Sequence, residues 1–328
     1  MASVIDPFLR TQLEERRKWL ETAISSFPGD AAMAELLTEV DSALERMEGG
    51  SYGICEACHE NIEKDRLIVD PLVRFCLDHL NSAEQRALEQ DLQLAAQIQR
   101  ALLPPTDVHA KGWRIHYHYQ PAGLVSGDYC DVIQPASGDG DLIFLLGDVS
   151  GKGVAASMLM SHLHAMFRSL AAVGLPLDQM MAHANRVFCE STLAGQYATL
   201  VCGRAGTDGV IRLASAGHCP PLLLGDGGTK AIEATGLPLG MFRSGDFAVC
   251  DYKLKPGQGL FLYTDGLSET RSPSATEYGL EGLEKFLARR NGLPPEELAA
   301  ACLADLREFR GSSALADDLT IMVIHREE

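Results

Sequence analysis

Residues 142–157, "LIFLLGDVSGKGVAAS", begin as an apolar strand, break at glycine and aspartate, and resume as a helical pattern after a glycine-rich turn. A phosphate-binding loop is the first reading to test. That loop needs Gly, four residues, Gly, Lys and then Ser or Thr, whose hydroxyl reaches Mg2+. Here three residues separate Gly147 from Gly151, and Gly153 follows Lys152. The hydroxyl is missing and the loop is one residue short. What the stretch presents instead is Asp148, a carboxylate at the tip of a buried strand.

The same design recurs. "GLFLYTDG" (259–266) delivers Asp265 into a turn, and "ADDLTIMVI" (316–324) places Asp317 and Asp318 at the start of a strand. If that last strand runs antiparallel to the other two, its beginning lies at the rim where they end. "SGDYCDV" (126–132) adds Asp128 and Asp131. Three residues apart on a straight strand, these two face opposite ways, so one of them joins the cluster directly. Converging carboxylates repel one another unless cations lie between them. Oxygen-only donors suit hard ions, Mg2+ or Mn2+. Two such ions lower the pKa of a bridging water and stabilise in-line attack at phosphorus. Asp-Gly is also an ordinary turn dipeptide; the joint occurrence of these segments is what points to a site.

Composition sets the frame. The 328 residues are 46% hydrophobic and 22% charged, with nine cysteines and a net charge of -17. Residues 1–80 carry -8 and the remainder -9, so neither part offers the basic surface that nucleic-acid binding requires. No apolar run reaches membrane-spanning length, and "MASVIDPFLR" lacks the blocks of a signal peptide. The expectation is a cytoplasmic protein with no direct nucleic-acid or membrane partner.

Residues 6–48 read as a helical hairpin. Asp6-Pro7 starts it, "FPGD" (27–30) turns it, and Gly49-Gly50 ends it. Residues 81–105 read as a linker helix with a seam of Leu88, Leu92, Ala95 and Leu102, interrupted by Gln99 and closed by Pro104-Pro105. A helix packed on its own domain and a dimerising linker that makes a homodimer are both open. From residue 106 to 328 the pattern mixes strands ("WRIHYHY", "LIFLLG", "ATLVCGRA", "VIRLASA", "GLFLYT", "LTIMVIH") with helices near 153–173, 177–192, 277–290 and 295–310. The fold class is α+β with a largely antiparallel sheet.

"SGDYCDV", "GDVSGKGVAASMLM", "SAGHCPPLLL", "TGLPLGM", "LYTDGLSE" and "DDLTIMVI" resemble the successive motifs of metal-dependent serine/threonine protein phosphatases (PPM) of the SpoIIE/RsbU class, over residues 93–326. The resemblance implies an antiparallel β-sandwich flanked by helices around a binuclear Mn2+ or Mg2+ centre. It implies that Asp148 bridges both ions, that the Val149 carbonyl binds one, and that Asp265 and Asp317 bind the other. Asp128 would act on the second ion, directly or through water. Ser126 stands where the family usually has the first of two glycines. His218 falls in a family motif and reads as a structural, hydrogen-bonded residue. The implied substrates are phosphoserine or phosphothreonine on anti-sigma-factor antagonists.

A second metal chemistry lies upstream. Cys55-x2-Cys58, seventeen residues, then Cys76-x2-His79 has the spacing of a Cys3His site for one Zn2+. His59 competes for the fourth place, but its adjacency to Cys58 strains simultaneous binding. Residues 43–79 resemble the DksA/TraR zinc finger, in which a fourth cysteine stands where His79 does and a glycine where His59 does. The six other cysteines read as small core residues. The preferred function is a protein phosphatase with a regulatory or sensory zinc domain over residues 1–80. The alternative is a transcription-associated protein acting on RNA polymerase through the finger, with a non-catalytic docking domain.

Overall fold

The computed structural model describes residues 7–26, 31–79, 82–134, 140–193, 195–225, 228–290, 292–313 and 315–327. The chain divides into two units, Met1–Asp91 and Leu92–Glu328. The division falls inside helix α4, Ser82–Leu102, which is the helix expected at 81–105.

In the first unit, α1 (Pro7–Ser26) and α2 (Ala31–Glu48) form the hairpin; Asp6 and the "FPGD" turn lie outside the described residues. Leu9, Leu13 and Leu20 of α1 meet Val40, Ala43 and Met47 of α2, the three-and-four spacing that puts apolar residues on one helix face. The same core takes in Tyr52, Ile62, Cys55 and Cys76, and Leu67 from the short helix α3 (Lys64–Val69).

The second unit holds two antiparallel sheets. One runs β1 (Asp107–Ala110), β2 (Trp113–Gln120), β11 (Leu319–Arg326), β10 (Gly259–Tyr263), β7 (Leu222–Gly225), β8 (Gly228–Ala231). The other runs β3 (Asp128–Ile133), β4 (Leu142–Val149), β5 (Ala198–Ala205), β6 (Val210–Ala216), β9 (Cys250–Lys253). Helices α5 (Gly153–Val173) and α6 (Leu177–Ser191) pack on the second sheet, and α8 (Gly279–Arg289) and α9 (Pro295–Arg310) on the first. A four-residue helix, α7 (Asp265–Ser268), follows β10 directly.

Strand parity explains this layering. Leu142, Phe144 and Leu146 of β4 point between the sheets, while Ile143, Leu145 and Val149 point at α5 and α6. Both faces are covered, so the strand is apolar throughout. Parity then places Asp148 on the inter-sheet face. By the same count Asp128 lies with Cys130 and Val132 on that face, and Asp131 lies with Tyr129 and Ile133 on the helix face. Asp131 is neutralised there by Arg168 of α5 at 2.7 Å, with His164 at 3.8 Å. One aspartate of the pair joins the rim, and it is Asp128.

Several sequence expectations need correction. The strand after Asp317 and Asp318, β11, pairs antiparallel with β10 but not with β4, which belongs to the opposite sheet. Hydrophobic periodicity fixes which face a residue takes but not which sheet its strand joins. The seam of α4 is shifted: Leu88 is exposed, whereas Ala96 and Gln99 are buried. Gln99 interrupts nothing, because its amide donates to Ser126 O at 2.7 Å and accepts from Ser126 N at 3.0 Å. Of the six other cysteines, Cys130, Cys202 and Cys302 are buried, but Cys189, Cys219 and Cys250 are only half-buried.

Gly203 of β5 pairs with Phe144 across the sheet, and a Cβ there would lie 2.1 Å from the Phe144 ring. Gly203→Ala is expected to destabilise the protein by about 1–3 kcal/mol in urea denaturation, the usual cost of overpacking. Phe144→Leu should cost less in that background than in wild type, because it empties the contested space.

Candidate active site and metal centres

Asp128 and Asp148 are direct register partners on β3 and β4, and Asp148 is in turn opposite Thr199 of β5. The Asp128 carboxylate is fully buried. Its Oδ2 accepts hydrogen bonds from the hydroxyls of Thr264, the residue between β10 and α7, and Thr320, near the start of β11. Burial and the neighbouring Asp148 push the Asp128 pKa well above the ordinary carboxylate range, against the pull of the two hydroxyls. Ser126 closes the turn before it: its hydroxyl accepts from the Asp128 N–H at 3.0 Å. A glycine at that position would lack this bond.

Asp148 is pushed up to about 7, first by burial and then by Asp265, Asp317 and Asp318. Asp265, at the first position of α7, is raised by burial and by Asp317. The five carboxylates therefore meet at one rim, three contributed by the β10–β11 side and two by the β3–β4 side. Gly266 is what lets them approach, since a Cβ on it would lie 1.9 Å from Asp318 O. Gly127 serves the other side: a Cβ there would lie 3.1 Å from Val149 O and 3.2 Å from Asp148 Oδ1.

Asp318 has a different task from its neighbours. Its two oxygens accept the backbone N–H groups of Ala122 and Gly127, both at 2.8 Å, and so pin the 121–127 loop beneath the rim. Lys152 brings the cation: its Nζ donates to Asp317 Oδ2 at 2.7 Å and to Ala316 O at 2.9 Å. It is thus an ion-paired residue of the rim. His218 is buried, with Nδ1 at 2.8 Å from Thr199 Oγ1. Burial lowers its pKa to about 4, so the imidazole is neutral and holds the strand opposite Asp148.

Thr264 and Thr320 were not legible as site residues, because a threonine in a strand reads as a β-branched strand former. The donor set fits hard divalent ions. All side-chain donors are oxygens, Asp128, Asp148 and Asp265 are each raised by a neighbouring carboxylate as well as by burial, and a single lysine leaves most of the charge uncompensated. Among the described residues, the one group of metal-binding side chains whose ligand atoms all lie within 4.8 Å of one another is Cys55, Cys58, Cys76 and His79.

That second set has tetrahedral dimensions. Two sulfurs bound to Zn2+ at about 2.3 Å and the tetrahedral angle are about 3.8 Å apart, and Cys58 Sγ lies 3.8 Å from Cys76 Sγ. Cys76 Sγ lies 3.3 Å from His79 Nδ1. Burial opposes ionisation of Cys55, but the N–H groups of Cys58, Cys76 and Ala57 outweigh it and lower the thiol's pKa, which favours the thiolate that a metal needs. His59 has a left-handed backbone, φ 60°, and stands outside the group.

The model of the family "Stage II sporulation protein E (SpoIIE)" matches residues 138–327, more than half of the chain. The chain belongs to the SpoIIE family. A second model, "Prokaryotic dksA/traR C4-type zinc finger", matches residues 50–78 and stops one residue before His79. The chain is 27% identical over 265 residues to Protein IcfG of Synechocystis, covering 72% of this chain but 41% of that protein. It is 27% identical over 252 residues to Phosphoserine phosphatase RsbU of Bacillus subtilis, covering 74% of this chain and 72% of RsbU. Among solved structures, the SiaA-PP2C domain of Pseudomonas aeruginosa matches with a TM-score of 0.65 at 21% identity, covering 76% of this chain and all of that domain. The likeness to SiaA supports the fold of the SpoIIE domain.

Two outcomes follow from these geometries. In EDTA, the folded SpoIIE domain holds a proton on Asp148 that the unfolded chain releases above the ordinary carboxylate value of 3.8. Stability present below that value is therefore lost as pH rises to about 7. The melting temperature of metal-free protein should fall between about pH 4 and about pH 7, and Asp148→Asn should flatten the fall. For the finger, elemental analysis should find zinc in the purified protein; Cys76→Ser should lose it, and His79→Cys should keep it.

Proposed function

We propose that this SpoIIE-family chain is a metal-dependent protein phosphatase that hydrolyses phosphoserine or phosphothreonine on a regulatory protein. The observation that carries the reading is the convergence of Asp128 and Asp148 from one sheet with Asp265 and Asp317 from the other. A fold with no use for divalent cations would gain stability by replacing mutually repelling, buried carboxylates.

In this reading Asp148, Asp265 and Asp317 hold two Mn2+ or Mg2+ ions together with the Val149 carbonyl, and Asp128 acts on the second ion. When bound, the ions neutralise the carboxylates, ready a water for attack and offset the charge of the phosphate. Thr264 and Thr320 orient Asp128 by their hydrogen bonds to Oδ2. Asp318 fixes the loop that carries Gly127 against Asp148. Lys152 leaves Asp317 free to bind once a stronger cation competes for it.

RsbU carries the description phosphoserine phosphatase, which supports the reaction class; the substrate we propose is a phosphorylated anti-sigma-factor antagonist. Residues 1–80, with one Zn2+ on Cys55, Cys58, Cys76 and His79, form a regulatory domain, 81–105 a linker through which two copies can pair, and 106–328 the phosphatase. The cytoplasm is the compartment proposed, and no helix among the described residues is long and apolar enough to cross a membrane.

With Mn2+ and p-nitrophenyl phosphate, wild type should turn over substrate. Asp148→Ala and Asp265→Ala should each lower kcat/KM by about a hundredfold or more, since losing even an outer-shell partner costs roughly 10–100-fold. Equal rates in the three proteins would refute the mechanism.

A further inference from the structure

A groove of about 430 Å3 opens beside the carboxylate rim. Its near wall carries Lys152, Asp317 and Gly266, the residue after Asp265. Its far wall is the 269–275 turn and the end of α9, where Arg271 and Arg310 lie. The groove therefore adjoins Asp265 and Asp317, where the phosphate would sit in the proposed reaction.

Cations lining the groove outnumber anions. Lys152, Arg271 and Arg310 face Glu269 and Asp317, in a chain whose net charge is -17. Two of the three cations are already used. Lys152 pairs with Asp317 and Arg271 with Glu277, each at 2.7 Å. Arg310 is not: among the described residues its guanidinium makes no hydrogen bond or ion pair, and its Nε is buried without an acceptor. An arginine in the last turn of a helix is favoured by the helix dipole alone. The dipole does not account for a buried donor left without an acceptor, which weakens a fold unless another molecule supplies one. An arginine of this kind, on the wall of a cleft, suits a carboxylate.

We propose that this groove binds the segment of the phosphoprotein that flanks the phosphorylated residue, and that Arg310 recognises a carboxylate side chain in that segment. The proposal rests on the phosphatase reading and adds to it a substrate preference. An acidic protein repels acidic partners at long range, so a preference for acidic sequence has to come from a local cation. Arg310 is that cation.

The test compares kcat/KM for two synthetic phosphoserine peptides with Mn2+, one flanked on both sides by Asp and one by Ala. Wild type should favour the Asp peptide by about tenfold, the scale of one charge-assisted hydrogen bond. Arg310→Ala should lose the preference, and Arg310→Gln, which keeps a polar stem, serves if the alanine variant does not fold. Arg310→Glu should favour a Lys-flanked peptide instead. Arg307→Ala, on the same helix but outside the groove, should keep the wild-type preference. Equal rates on both peptides in wild type, or a preference that survives Arg310→Ala and Arg310→Gln, would overturn this inference and leave the phosphatase reading standing. Failure of wild type to hydrolyse p-nitrophenyl phosphate or either peptide would sink both.

Discussion

The Asp128 carboxylate accepts the hydroxyls of Thr264 and Thr320 across the gap between two sheets, and the geometry of the rim follows from that contact. Thr264 also accepts the Thr320 N–H through the same hydroxyl oxygen, at 2.9 Å, so three residues from three strand ends form one buried network. Asp128 is opposite Asp148, Thr264 precedes Asp265, and Thr320 stands two residues after Asp318. Fixing one oxygen therefore fixes where each of the other carboxylates can lie. Apolar packing brings the sheets face to face but tolerates small slides; hydrogen bonds to a buried carboxylate do not.

Much of this could be read from the residues. The apolar run of β4, its glycine and its aspartate marked a strand buried on both faces, and the observed parity puts Asp148 between the sheets. The three-residue gap between Asp128 and Asp131 separated their faces, and Arg168 accounts for the second. Sheet membership was not legible, because periodicity is the same whichever neighbour a strand pairs with. Nor was the task of Asp318. Two adjacent aspartates look alike in sequence, yet one turns to Lys152 and the other to two backbone N–H groups of a loop almost two hundred residues away in the chain. The finger was the opposite case: thiols and imidazole at fixed spacing specify their own geometry, and Cys55, Cys58, Cys76 and His79 are together.

The two donor sets suit different ions by the same logic. Thiolates and imidazole are soft or borderline and favour Zn2+; a rim of carboxylates favours small hard ions. The exchange of a fourth cysteine for His79 has an electrostatic consequence. Three thiolates around a divalent ion leave one negative charge where four would leave two, so the finger adds less to the acidity of residues 1–80.

The rim itself works against the fold. Burial and mutual repulsion raise the pKa values of Asp128, Asp148 and Asp265, so in metal-free protein each ionisation weakens the folded state. The surrounding structure has to supply what the rim withholds. Three apolar layers do so: one between the sheets around Phe144, and one beneath the helices on each outer face. In the proposed phosphatase, alanine at Asp148 would ease this conflict and remove a metal ligand at the same time. On that proposal, bound cations would return part of the stability that the repelling carboxylates cost the metal-free fold.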